Sequence, residues 1–126
     1  MADSDSAKPD VEKTYSETEI QEKLATLPNW EYKDGWIRRK FKTLGWPQTL
    51  MLVNAIGYRA EAAFHHPDLL VSWALVVVKL MTHSAKGITD KDFLLAQEIE
   101  SIATWLPEEG GPHDGFEKGM KKKWVR

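Results

Sequence analysis

The chain has 126 residues, a length that suits one domain. Hydrophobic residues make up 42% and charged residues 29%, a globular composition, and a formal net charge of -2 offers no electrostatic basis for binding nucleic acid or membrane. No cysteine is present, which excludes disulfides, thiolate nucleophiles and cysteine-ligated zinc.

The first stretch, MADSDSAKPD, is acidic and rich in small residues. It has neither the apolar core of a secretory signal nor the arginines of a transit peptide. Residues 1–14 are therefore expected to be a disordered lead-in. No run approaches the roughly 20 apolar residues of a membrane span. These missing signals give a cytoplasmic expectation, with the nucleus also open to the chain.

Order is expected from about residue 15. Ser16 followed by Glu19 is a capping-box pattern, and Ile20, Leu24 and Leu27 recur at helical spacing until Pro28 closes the helix. In NWEYKDGWIRRKFKT, Asp34-Gly35 signals a tight hairpin turn. Trp30 and Tyr32 alternate before it, and Trp36, Ile37 and Phe41 follow; Arg38, Arg39, Lys40 and Lys42 predict a wet face on the second strand.

The longest helix is predicted over Trp46 to about His65, with Pro47 in its first turn. Leu50, Val53, Asn54, Gly57, Ala60 and Ala63 form one stripe, and Met51, Ala55, Tyr58 and Ala62 a second, so the helix is expected to pack between a sheet and a partner subunit. DLLVSWALVVVKLM reads as two strands broken near Ser72 to Ala74, the second running to about Thr82. The last helix is capped by Thr89, carries Asp92 at its third position, and has a core stripe of Phe93, Ala96, Ile99, Ala103 and Leu106. The extension 107–126 is rich in glycine and lysine, with Phe116 and Trp124 as its anchors. The order helix, two strands, helix, two strands, helix predicts an α+β domain over 15–106. Its antiparallel sheet should carry the helices on one face.

Two of the four histidines, His65 and His66, stand together before Pro67. The proline disfavours helical backbone at His66, so the helix should stop there and both rings can reach one cleft. The negative end of the helix dipole favours a protonated imidazole at such a place, and histidine's unperturbed pKa of about 6.5 suits proton transfer near neutrality. Glu61, four residues before His65, is placed to orient that ring. His83 stands at the expected end of the last strand. Three imidazoles, a carboxylate and no evident nucleophile point to general acid–base chemistry. Two plainer readings compete. A histidine in a last helical turn often only caps carbonyls, and Glu61, His65, His66 and His83 also have the makings of a zinc site.

Glu61, then His65-His66-Pro67, Trp73, Thr82-His83 and Asp92, at these spacings, resemble the signature of the pterin-4a-carbinolamine dehydratases. The likeness spans roughly residues 16 to 105. It implies a four-stranded antiparallel sheet with three helices, and dehydration of 4a-hydroxytetrahydrobiopterin to quinonoid dihydropterin in tetrahydrobiopterin recycling. Carried over by position, His65, His66 and His83 are catalytic, and His66 is expected to be the main proton-transfer group. Glu61, Pro67, Trp73, Thr82 and Asp92 bind substrate or support the histidines. The resemblance implies no cofactor and no metal. It implies a pterin substrate, a homodimer or homotetramer, and no direct nucleic-acid or membrane contact. A non-catalytic role as dimerisation cofactor of a homeodomain transcription factor is the alternative.

Overall fold

A computed structural model describes residues 13–117 and 119–126. The elements are α1 (Glu17–Lys23) with a 3-10 turn Leu24–Thr26, β1 (Trp30–Lys33), β2 (Trp36–Lys42), α2 (Trp46–Ala63), β3 (Asp68–Ser72), β4 (Leu75–Leu80), α3 (Asp90–Ala103) and a 3-10 turn Lys121–Lys123. The four strands form one antiparallel sheet in the order β1-β2-β4-β3. Among the described residues no helix is long and apolar enough to cross a membrane. Most of the expected lead-in, residues 1–12, lies outside the described residues. Lys13 and Thr14 are described, and Tyr15 N–H donates to the Ile88 carbonyl at 2.9 Å.

The local signals act as their chemistry dictates. The Ser16–Glu19 box caps α1 with both of its bonds made. Asp34 and Gly35 take φ of 54° and 86°, the left-handed pair that a two-residue hairpin turn demands. Register then brings Ile37, Arg39 and Phe41 beside Leu80, Val78 and Val76. This row faces the helices, where Ile20 of α1, Leu52, Ile56 and Ala60 of α2, and Phe93, Ala96, Ile99 and Ala103 of α3 complete the core.

Several expectations need correction. Arg39 belongs to the buried row, not to a wet face, because strand residues of one parity share one side. Its Nε and Nη2 donate to the two carboxylate oxygens of Glu100 on α3 at 2.9 and 3.1 Å. Trp30 Nε1–H joins them at 2.8 Å. The core face of α2 is neither expected stripe: Thr49, Leu52, Ile56 and Ala60 are buried, while Leu50, Met51 and Tyr58 are exposed. Polar anchors set the helix's rotation. Thr49 Oγ1–H donates to the Trp73 carbonyl at 2.9 Å, and Gln48 Oε1 accepts from Leu44 N–H at 2.6 Å. The strand β4 stops at Leu80 instead of Thr82, which makes only an isolated bridge to Gly87. Leu106 is exposed, since α3 has already ended at Ala103.

The extension folds back onto the sheet. Phe116 and Trp124 pack edge to face with centroids 4.8 Å apart. Lys42 and Arg126 exchange backbone bonds of 2.6 and 3.0 Å, and Thr43 bridges Val125. Because β1 pairs with β2 only as far as Arg39, the tail occupies the edge that β1 leaves free.

Candidate active site

The antiparallel pairing of β3 with β4 decides which loops meet. Asp68, the first residue of β3, lies opposite Lys79 near the end of β4. The α2–β3 link, 64–67, and the β4–α3 loop, 81–89, therefore leave the sheet at the same end. They carry His65, His66, Pro67, Thr82 and His83, and Asp92 follows in the first turn of α3.

The helix stops slightly earlier than the proline alone requires. Phe64 closes α2 in the left-handed region, with φ 46° and ψ 46°. That backbone costs a non-glycine residue about 1 kcal/mol or more, and it is held by bonds from Phe64 N–H to Glu61 O at 3.1 Å and from His65 N–H to Ala60 O at 3.1 Å. The reversal sends the two adjacent rings to different carboxylates. His65 turns inward, its side chain 12% exposed, and its Nε2 lies 2.6 Å from Asp92 Oδ1. His66 stays half exposed, and its Nε2 lies 2.8 Å from Glu61 Oε1. Glu61 thus orients His66, where helical spacing alone pointed to His65: the turn at Phe64 brings the fifth residue on, not the fourth, within reach.

Asp92 is fully buried. It completes the Thr89 capping box, its Oδ2 accepting from Thr89 N–H at 2.9 Å. The same oxygen accepts from Thr82 Oγ1–H at 2.8 Å. Thr82 and Thr89 hydroxyls lie 2.7 Å apart. An ionised carboxylate only accepts, so with Asp92 in that form the 2.6 Å contact is a bond donated by His65 Nε2–H to Oδ1. An exposed pair such as Glu61–His66 contributes at most about 1 kcal/mol to stability; its effect is on the direction of the ring.

His83 follows Thr82 on the exposed rim and packs edge-on to Trp36, centroids 5.6 Å apart, with Lys79 Nζ 4.6 Å above the same indole. Phe64 packs edge-on to His66 at 5.1 Å. Trp36 and Phe64 thus join the site although no sequence motif marks them. Trp36 is a plain strand aromatic in the sequence, and only strand pairing puts it near His83. Pro67 is half-buried in the link. Trp73 is not brought to this cluster. It sits in the β3–β4 turn, and the six-residue length of β4, about 20 Å, separates that turn from the histidines. It is largely exposed and walls a separate hollow with Trp46, Met51 and Trp124. Glu61, His65, His66 and His83 do not form a metal-holding group, nor does any other set of three or more such residues among the described ones.

The geometry offers two imidazoles, each hydrogen-bonded at one ring nitrogen by a carboxylate, beside a third on the rim. Such a set can give and take protons.

Comparison with known proteins agrees. Residues 13–102 match the family described as pterin 4 alpha carbinolamine dehydratase. A protein of Aquifex aeolicus (strain VF5), named "Putative pterin-4-alpha-carbinolamine dehydratase", is 46% identical over 87 residues, covering 69% of this chain and 88% of that protein. A Roseiflexus sp. (strain RS-1) protein of the same name is 40% identical over 87 residues, 69% of this chain and 94% of its own. A solved structure, a transcriptional coactivator/pterin dehydratase from Brucella melitensis, superposes with a TM-score of 0.69 at 30% identity, covering 72% of this chain and 99% of that one. The fold, the placed histidines and these matches lead to one conclusion: the chain belongs to the pterin-4a-carbinolamine dehydratase family.

Proposed function

We propose that the protein dehydrates 4a-hydroxytetrahydrobiopterin to quinonoid dihydropterin and water by histidine general acid–base catalysis, in the recycling of tetrahydrobiopterin. The observation that carries the reading is the pair of buttressed rings, His65 on Asp92 and His66 on Glu61, at one helix end. In the reaction the departing hydroxyl takes a proton from an acid and leaves as water. The adjacent ring nitrogen gives its proton to a base as the carbon–nitrogen double bond forms. His66, half exposed and bonded to Glu61 through Nε2, is the proposed main proton-transfer group. His65 and His83 bind the pterin or share the transfer, with Thr82 and Pro67 shaping their surroundings. General acid–base help of this kind contributes about 10²–10⁴-fold.

The test is the rate of quinonoid dihydropterin formation from freshly made carbinolamine, with and without protein, and with His65→Ala and His66→Ala variants. Acceleration that both variants lose supports the reading. A folded protein that leaves the spontaneous rate unchanged overturns it.

Self-association is proposed alongside catalysis. Leu50, Met51 and Tyr58 on α2 and Leu94 on α3 are exposed apolar side chains, an arrangement that favours a protein contact. Sedimentation of the full chain distinguishes a dimer or tetramer from a monomer. The neighbour's name includes a coactivator, and a protein-partner role for this chain stands as the second reading. Catalytically dead but partner-competent protein would favour it.

A further inference from the structure

We propose that Thr89 is a positioning residue of the site: through Thr82 and Asp92 it locks His65 as the Nε2–H tautomer, so that Nδ1 is the atom His65 presents to substrate. The inference rests on the proposed acid–base function for its catalytic consequence, but its structural content stands without it.

The direction of each hydrogen bond follows from counting protons. Thr82 has one hydroxyl hydrogen, and it goes to Asp92 Oδ2 at 2.8 Å. In the 2.7 Å contact between the two hydroxyls Thr82 is therefore the acceptor and Thr89 the donor. Thr89 keeps its hydroxyl hydrogen for this bond, since the contact from Lys91 N–H at 3.2 Å uses only an oxygen lone pair. The donors thus run from a backbone amide through two hydroxyls to the Asp92 carboxylate, which receives His65 Nε2–H on its other oxygen at 2.6 Å. Every side chain before the imidazole is buried: Thr82 is 2% exposed, and Thr89 and Asp92 are 0%. Buried in this way, each hydroxyl has few alternative partners, and hydrogen bonds in such surroundings reinforce one another.

The consequence is steric as well as electrostatic. Thr82 and Thr89 N–H together fill Oδ2, which fixes the plane of the carboxylate and aims Oδ1 at His65. Without the Thr89 hydroxyl, Thr82 can turn its hydrogen away from Asp92. The carboxylate then loses half of its Oδ2 bonds and the freedom to rotate returns. An imidazole whose partner can turn no longer has one preferred nitrogen for its proton. In the wild-type arrangement Nδ1 is the unprotonated nitrogen of neutral His65, the form that accepts a proton.

The experiment uses the full chain, isotopically labelled, and a long-range proton–nitrogen correlation of the histidine rings at about pH 8, above histidine's unperturbed pKa of about 6.5. Four proteins are compared: wild type, Thr89→Ser, Thr89→Gly and Thr82→Val. Serine keeps the hydroxyl. Glycine removes it while remaining a tolerated helix N-cap residue, and far-ultraviolet circular dichroism checks that each variant is folded. Wild type and Thr89→Ser should show His65 in a single Nε2–H tautomer. Thr89→Gly and Thr82→Val should show a resolvable Nδ1–H population. In the dehydration assay the same two variants should lose about tenfold in kcat with KM changed less than twofold, and Thr89→Ser should retain the wild-type rate. A purely structural cap would move neither the tautomer nor the split between kcat and KM. An Nδ1–H tautomer in wild type overturns the proposal, as does an unchanged single Nε2–H tautomer in Thr89→Gly. If wild type shows no dehydration but the tautomer responds as stated, the proposed function fails while the positioning inference holds.

Discussion

Removing the Glu100 carboxylate strands Arg39. In Glu100→Ala three donors lose their acceptor at once: Arg39 Nε and Nη2, and Trp30 Nε1. The Arg39 side chain is 6% exposed and that of Glu100 23%, so water reaches the carboxylate side of the pair but hardly the guanidinium. Breaking a buried pair from one side typically costs about 3–5 kcal/mol. Partial access to water at Glu100 places the expected loss at the lower end, about 3 kcal/mol. That is a large share of the roughly 5–15 kcal/mol that holds a domain of this kind folded. Urea titration followed by tryptophan fluorescence and far-ultraviolet circular dichroism measures it. With a slope of about 1.5 kcal/mol per molar, the midpoint should fall by about 2 M. Glu100→Gln keeps one acceptor oxygen for Trp30 and Arg39 Nε, and should lose only about 1–2 kcal/mol. Replacing both partners, Arg39→Met with Glu100→Leu, should recover most of the stability, leaving about 1 kcal/mol for the unpaired indole. A Glu100→Ala loss below about 0.5 kcal/mol, the range of an ordinary surface substitution, would refute the claim that Arg39 is held in the core by this carboxylate.

Three further outcomes are expected. Ile56→Ala, at a fully buried position of α2, should cost about 2–5 kcal/mol in the same titration, whereas Tyr58→Ala, two residues on and 71% exposed, should stay within about 0.5 kcal/mol when measured at protein concentrations where the chain is monomeric. Tyr15 donates to Asp90 Oδ1 at 2.6 Å, and that bond, with burial and the Asp90 charge adding to it, pushes the phenol up to about 12. Since the folded value lies above the unfolded one, its stabilisation is complete below about pH 10 and disappears as the pH rises through the folded value; the stability difference between wild type and Tyr15→Phe should shrink across that interval and be level below it. Asp114 is shifted the other way, its carboxylate held low by Gly110 N–H, then by Lys121 and Phe116 N–H. Its contribution is present above the ordinary aspartate value of about 3.9 and fades as the pH falls below it, so the near-ultraviolet dichroism of the Phe116–Trp124 pair should weaken on acidification in step with Asp114→Asn at neutral pH.

The α+β order, the hairpin at Asp34-Gly35, the two capping boxes and the helix stop before His-Pro were legible because each is local. A cap or a two-residue turn is decided by a few neighbouring residues and their backbone preferences, and tertiary contacts have little left to choose. The candidate site residues came from the spaced resemblance to a family; all of them but Trp73 lie on the two loops and adjoining helix turns that meet at one end of the sheet. What tertiary structure decided is where each of those groups points. The rotation of α2 was set by Gln48 and Thr49, polar residues that a hydropathy pattern assigns to the surface. Arg39 looked solvated among four cations until an acceptor 61 positions away was folded against it. Glu61 meets His66 and not the His65 that helical spacing indicated, and Asp92 meets His65, because one left-handed residue, Phe64, turns the chain just before the two histidines. Trp73 stands in the right place along the chain and at the far end of the strand in space. Spacing along a chain carries distance only while the backbone stays regular; past a turn, register and packing assign the partners.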